Sequence, residues 1–162
     1  MQTIPISPQG FIRLKLELEA LKKERPVVLQ AIREAREEGD VSKNTAYDTA
    51  LERQTMLEKR IRHIESRMPH LHVVDPAMMG GEKAVFGATV MFENVETGER
   101  KEYTLLGPDE ADYTSGSISV QSPVAKALLG RKAGDEVVVD APKGRVEYEI
   151  VSVKFMHGGT AQ

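Results

Sequence analysis

Two runs of apolar residues, mirrored about a polar gap, dominate the first half of this sequence. Phe11, Leu14, Leu18, Leu21, Val28, Ile32 and Ala35 follow a three-four spacing, with Arg25 as the polar member of the series. After the gap, Tyr47, Ala50, Leu57, Ile61, Ile64, Met68 and Leu71 do the same, with Gln54 as the polar member. A spacing held this long is the seam of a coiled coil. In the gap, Gly39 is suited to end one helix, and Asp40, Ser42 or Asn44 to cap the next. A short turn between two such helices returns the chain antiparallel. Pairing residues whose numbers add to 82 sets every seam residue against another: Ala35 with Tyr47, Ile32 with Ala50, Arg25 with Leu57, Leu21 with Ile61, and so on to Phe11 with Leu71. Each helix is expected to reach about 45 Å at 1.5 Å per residue. The turn is then the far tip of a narrow arm and carries no apolar burden. Spacing alone is also met by a spacer whose turn is merely solvated.

A chain of 162 residues makes one domain or two small ones. No apolar run approaches the roughly 20 residues that span a bilayer, so no membrane association is expected. The first nine residues hold two prolines and no apolar block, which predicts no secretory leader. The chain has no cysteine, which removes disulfides and thiolate metal sites and fits a cytoplasmic setting. It has no tryptophan and few aromatics, which argues against a stacking platform for single-stranded nucleic acid. Residues 1–71 carry 13 Lys and Arg against 11 Asp and Glu, while residues 72–162 carry 9 against 14, so the net −3 divides into +2 and −5. Neither half is basic enough for autonomous DNA binding. A protein partner reached by one face fits better.

Ser7-Pro8 reads as a helix cap and first helical residue. Pro26 removes a hydrogen bond inside the first helix and predicts a kink or a loosened stretch. Arg25 is expected to lay its stem on Leu57 and send its head to water. The basic residues of the second helix read mostly as a solvated face with i,i+4 pairs such as Glu58 with Arg62. Arg33, Arg36 and Arg53 lie within a few turns of the tip, where a phosphate-bearing partner such as RNA is one expectation. His63, His70 and His72 make no metal spacing and read as surface residues. Pro69, Pro76 and Gly80-Gly81 mark a linker.

Beyond it the period changes to two. Strands are expected over 86–92, 100–106, 117–121, 136–140 and 146–155, with turns at Glu96-Thr97-Gly98-Glu99 and Pro142-Lys143-Gly144 and a helix over 124–129. That is an α+β domain, an antiparallel sheet with one helix across it. The expected division is a finger at 1–75, a linker at 76–82, a compact domain at 83–156 and a loose tail at 157–162.

These residues carry a resemblance. Ile4-Pro5, Gly10, the run Ala31 to Asp40, Asn44 and Tyr47 in the first half resemble the GreA/GreB family of bacterial transcript-cleavage factors. So do Val85 to Val90, Gly107 to Asp112, Ile118 to Gly130 and Gly134 to Val137 in the second. So many matched stretches in one order are far more specific than one short motif. The resemblance implies an N-terminal antiparallel α-helical coiled-coil hairpin and a C-terminal α+β domain of FKBP-like fold. It implies a monomer that docks on the rim of bacterial RNA polymerase and sends the finger into the secondary channel, toward the 3′ end of a backtracked RNA. Acidic residues at the tip would help hold the polymerase's second Mg2+, so the factor needs no cofactor of its own and is not an enzyme alone.

Carried over by position, Asp40 is the first functional acid and the metal-side residue. Asn44 and Tyr47 match the family's tip, and Asp48 follows one position on. Arg33, Arg36 and Arg53 become the RNA-proximal cations. Asp112, Ser119, Gln121, Ser122 and Pro123 become the polymerase-docking positions, although Ser122-Pro123 also reads as a plain helix cap. The sequence departs from the family at Lys43, which stands where a second acid belongs, and at Ala46, which replaces a glutamate. Beside a divalent ion, reversing that charge is worth several kcal/mol even at an effective dielectric of about 20. Three readings stay open here: weakened cleavage stimulation through Asp40, helped by Asp48; a cleavage-deficient channel binder that competes with such factors; or a Lys43 that is turned away or pairs with Asp40 or an acid of the polymerase. Prolyl isomerase activity is not expected. Phe86, Phe92, Tyr103, Tyr113, Tyr148 and Phe155 mostly occupy core positions of strands, not an aromatic cleft.

Overall fold

The computed structural model describes residues 3–38 and 44–155. Its elements are β1 (Ile4–Ile6), α1 (Pro8–Glu37), α2 (Thr45–Arg67), β2 (Leu71–Val73), β3 (Ala88–Asn94), β4 (Arg100–Leu106), β5 (Ser117–Ser119), α3 (Pro123–Leu128), β6 (Glu136–Ala141) and β7 (Gly144–Phe155). By contacts the chain forms two compact units, one of Ile12–His70 and the other of Met1–Phe11 with Leu71–Gln162. The boundaries expected from sequence were drawn by periodicity, and periodicity does not register that the first eleven residues pack with the second half. No helix of the described residues is long and apolar enough to cross a membrane.

The helical unit follows the seam. Leu14, Val28, Ile32 and Ala35 are buried on α1, and Ala50, Leu57, Ile61 and Ile64 on α2. Several apolar residues outside the three-four series, Ile12, Leu16, Val27 and Met56, are exposed, while Ala31 and Leu51 are half-buried against the seam. Val28, Ile32, Ala50, Leu57 and Ile61 form one cluster, flanked by half-buried Leu18, Leu21 and Tyr47. Ion pairs cross between the helices, among them Lys22–Glu65 at 3.0 Å, Arg25–Glu58 at 2.8 Å, Arg60–Glu17 at 2.7 Å and Arg53–Glu24 at 4.0 Å. Each is substantially exposed to water and so adds little to stability. Their value is in fixing the antiparallel register.

Three details differ from expectation. Arg25 does not send its head to water; it makes a two-pronged pair with Glu58, beside the Leu57 expected opposite it. Glu58 is thereby committed across the seam, with Arg62 adding a weaker attraction. Pro26 does not interrupt α1, which is assigned as helix over all 30 residues. The two helices are also unequal. At 1.5 Å per residue α1 is about 45 Å long, but the 23 residues of α2 reach only about 35 Å. The shortfall arises because Met68–His70 tightens into a 3-10 turn around Pro69 and Leu71 enters a strand.

That strand was not legible. β2 pairs in parallel with β1, matching Ile4 with Leu71 and Ile6 with Val73. Each strand has three residues, one holds Pro5, and their partners are far apart in the chain, so no local period marks them. Ile6 is fully buried.

The second sheet runs in the order β5-β4-β3-β7-β6. β3–β4, β3–β7 and β6–β7 are antiparallel, and short β5 is added parallel to β4. Alternation places Ala88, Val90 and Phe92 of β3 inward, where Leu105, Val137, Ile150 and the Ala125 and Leu128 face of α3 complete the core. Helix α3 starts one residue earlier than expected, with Pro123 at its first turn and the Ser122 hydroxyl accepting from the Ala125 N–H at 3.2 Å.

Candidate functional site

The closed end of the helix pair is organised by Asn44. Its backbone is extended and its Oδ1 accepts from the Tyr47 N–H at 3.1 Å, which caps α2. Its Nδ2 donates to the Ala35 carbonyl in the last turn of α1. One side chain thus satisfies an orphan donor of one helix and adds a second donor to the Ala35 carbonyl of the other, which also accepts from the Glu38 N–H at 3.3 Å. Beside it the Arg36 guanidinium lies 5.7 Å from the centroid of the Tyr47 ring, and its Nη2 donates to the Tyr47 hydroxyl at 3.4 Å. Arg36 also stands in the last turn of α1, where the helix dipole favours a cation. Asp48 is exposed in the first turn of α2, where the dipole favours an anion.

The other positions proposed from sequence separate. Asp40 and Lys43 lie outside the described residues. Arg33 is exposed, with Gln30 Oε1 at 3.5 Å. Arg53 lies about 13 Å down α2 from Asn44 and leans toward Glu24 of α1. Of the three cations expected near the tip, Arg36 is built into it, Arg33 is one turn away, and Arg53 belongs to the flank of the seam. Among the described residues no group of three or more His, Asp or Glu is placed to hold a metal. Asn44 has both amide atoms engaged, so Asp48 is the one described carboxylate at the start of α2.

In the second unit, Asp112 caps the 3-10 turn Tyr113–Ser115. Its carboxylate accepts from the Thr114 N–H at 3.0 Å, the Thr114 hydroxyl at 2.6 Å and the Ser115 hydroxyl at 2.8 Å. These bonds, the Thr114 hydroxyl first, hold its pKa below the ordinary value. The Asp112 N–H donates to Ser117 Oγ at 2.7 Å, which joins this turn to β5. Downstream, Ser119 Oγ accepts from the Gln121 N–H at 3.0 Å, and the Ser119 carbonyl accepts from the Ser122 hydroxyl at 2.7 Å. Gln121 and Pro123 are exposed. The five docking candidates therefore occupy one continuous, internally bonded segment.

Glu110 is an organising residue that the sequence did not single out. Its carboxylate accepts from the Ser7 N–H at 2.9 Å, from the Ser7 hydroxyl, and from the Gly107 N–H at 3.1 Å. The Ser7 hydroxyl in turn accepts from the Gly10 N–H at 3.0 Å. A Cβ at Gly10 would strike the Glu110 carboxylate, and one at Gly107 would strike the Pro5 carbonyl. The two glycines were visible in the sequence; that they face one carboxylate was not.

Comparison with known proteins accounts for both units. A family model described as "Transcription elongation factor, N-terminal" matches residues 4–73, and one described as "Transcription elongation factor, GreA/GreB, C-term" matches residues 79–155. A transcription elongation factor GreA of Nitratidesulfovibrio vulgaris strain DP4 is 64% identical over 156 residues, covering 96% of each chain. One of Solidesulfovibrio magneticus is 61% identical over 161 residues, covering 99% of this chain and 98% of its own. Among solved structures, the GreA factor homolog 1 of Thermus thermophilus is 27% identical with a TM-score of 0.43, covering 97% of this chain and 100% of its own. A GreA/GreB factor of Nitrosomonas europaea is 25% identical with a TM-score of 0.41, covering 93% and 98%. With both halves matched in order and close relatives aligned nearly end to end, the chain belongs to the GreA/GreB family of transcription elongation factors.

Proposed function

We propose that this protein binds bacterial RNA polymerase in the cytoplasm, enters its secondary channel with the helical unit, and stimulates the polymerase's own cleavage of backtracked RNA. The observation that carries this reading is the bonded closure of the helix pair. Asn44 and the Arg36–Tyr47 contact hold the ends of α1 and α2 together, on either side of the segment that contains Asp40. A carboxylate there is carried on an arm stiffened by a continuous apolar seam. In two-metal hydrolysis the ions stabilise both the entering and the leaving oxygens. On this reading Asp40 adds an oxygen ligand to the polymerase's magnesium, Asp48 adds negative potential nearby, and Arg33 and Arg36 face RNA phosphate. The segment from Asp112 to Pro123 docks on the channel rim. On this reading the protein acts on another enzyme's reaction. High identity to relatives named GreA supports stimulation over competition.

Lys43 opposes the bound cation and weakens the effect. Halted complexes carrying a backtracked, end-labelled RNA test this. Lys43→Glu is expected to raise the cleavage rate about tenfold or more, since each 1.4 kcal/mol of barrier is a factor of ten. Asp40→Ala is expected to abolish stimulation while polymerase binding persists. Equal rates for wild type and Lys43→Glu would remove the role given to position 43. Absence of polymerase binding at micromolar concentration would remove the whole reading.

A further inference from the structure

Tyr113 stands apart from the other aromatics of its unit. It is 67% exposed, yet its ring is not loose. Its centroid lies 5.4 Å from that of Tyr103 at a 35° tilt. Tyr103 in turn lies 6.0 Å from buried Phe92, and Phe92 meets Tyr148 edge-on at 4.9 Å. An exposed phenol is thus the outer member of an aromatic chain that begins in the core. Its backbone is held as well. Asp112 accepts three bonds from the two residues that follow Tyr113, and its own N–H is tied to buried Ser117. Gly116 closes the turn with φ +88, a conformation glycine takes without strain.

An ordered, exposed tyrosine has little conformational entropy left to lose on association, which is what distinguishes an interface anchor from a surface residue. The surroundings state the partner's sign. From residue 107 to 116 the chain carries Asp109, Glu110 and Asp112 and no Lys or Arg. Glu110 is occupied by Ser7 and Gly107. Asp112 is exposed and fixed by its hydroxyl partners beside the tyrosine. An exposed flat ring one residue on from a fixed carboxylate suits a guanidinium, which can stack on an aromatic face and pair with a carboxylate.

We propose that Tyr113 is the anchor of the polymerase-docking surface and that it receives an arginine of the polymerase, stacked on its ring and paired with Asp112. This rests on the polymerase-binding reading above and adds to it a residue, a contact and a partner chemistry. The test is equilibrium binding of the full-length protein to core RNA polymerase, by competition against a labelled wild-type chain, at several salt concentrations. Tyr113→Ala is expected to weaken binding 10- to 100-fold, the range of a buried aromatic anchor, and Tyr113→Phe to stay within about threefold of wild type. Asp112→Asn is expected to weaken binding and to flatten its salt dependence, which mere loss of a turn does not do. Thermal unfolding and near-ultraviolet circular dichroism verify that each variant keeps its fold. Wild-type affinity in a folded Tyr113→Ala would overturn the anchor. An unchanged salt slope in Asp112→Asn would overturn the arginine pairing. Failure of the wild type itself to bind would instead overturn the functional reading beneath both.

Discussion

Asn44 uses both ends of its side-chain amide, and each end can be removed separately. Asn44→Asp keeps the acceptor for the Tyr47 N–H and loses the donor to Ala35. Asn44→Ala loses both. The alanine variant is expected to cost about 1 kcal/mol, the usual worth of a helix cap, with the aspartate variant between it and wild type. Urea denaturation with equal m-values checks the order. If aspartate matches wild type, the bond to Ala35 contributes nothing. The capping role was legible, because Asn44 precedes a helical run. Its second bond was not, because it depends on where another helix ends. Asp40 and Lys43 remain legible as chemistry only: their charges are known from the sequence, and their positions lie outside the described residues.

At the scale of the helices, the Arg25–Glu58 pair is the most informative contact. The two-pronged bond from Arg25, more than any other cause, holds the Glu58 carboxyl below its ordinary value. A depressed folded-state pKa contributes stability above the unfolded value of 4.5 and loses it as pH falls below that value. Glu58→Gln is therefore expected to lower the melting temperature modestly at pH 7, with the gap to wild type closing below pH 4.5. A gap independent of pH would mean that packing, not charge, sets the difference. The seam itself was readable because the three-four period repeats over many turns and is redundant. Single polar insertions such as Arg25 leave it intact, yet they are where the reading erred. A lone charge inside an apolar series can escape to water or find a partner, and only the facing helix decides which.

Over the whole molecule, the bonds from Ser7 to Glu110 join residues far apart in the chain. Glu110→Ala is expected to free the Ser7–Phe11 stretch, raising amide hydrogen exchange at Gly10 and Phe11 while Ile61 and Leu57 keep their protection. Uniform loss of protection would mean that the clasp supports global stability instead. Sheet strands with clear alternation, such as β3, β4 and β6, were legible within a residue or two at most ends. The parallel β1–β2 pair and the clasp were not, since both are made by residues far apart in the chain, which no local period marks.

Helix α1 opens inside one compact unit and continues into the other, so the gene cannot be divided where the polypeptide looks divisible. A fragment cut in the glycine stretch near residue 80 would keep the large sheet but leave behind both short strands and Ser7. Glu110 would then present a bare carboxylate to water where a helix start belongs. Whoever wishes to study the two halves apart would need to start the second at Leu71 and graft the first eleven residues back onto it.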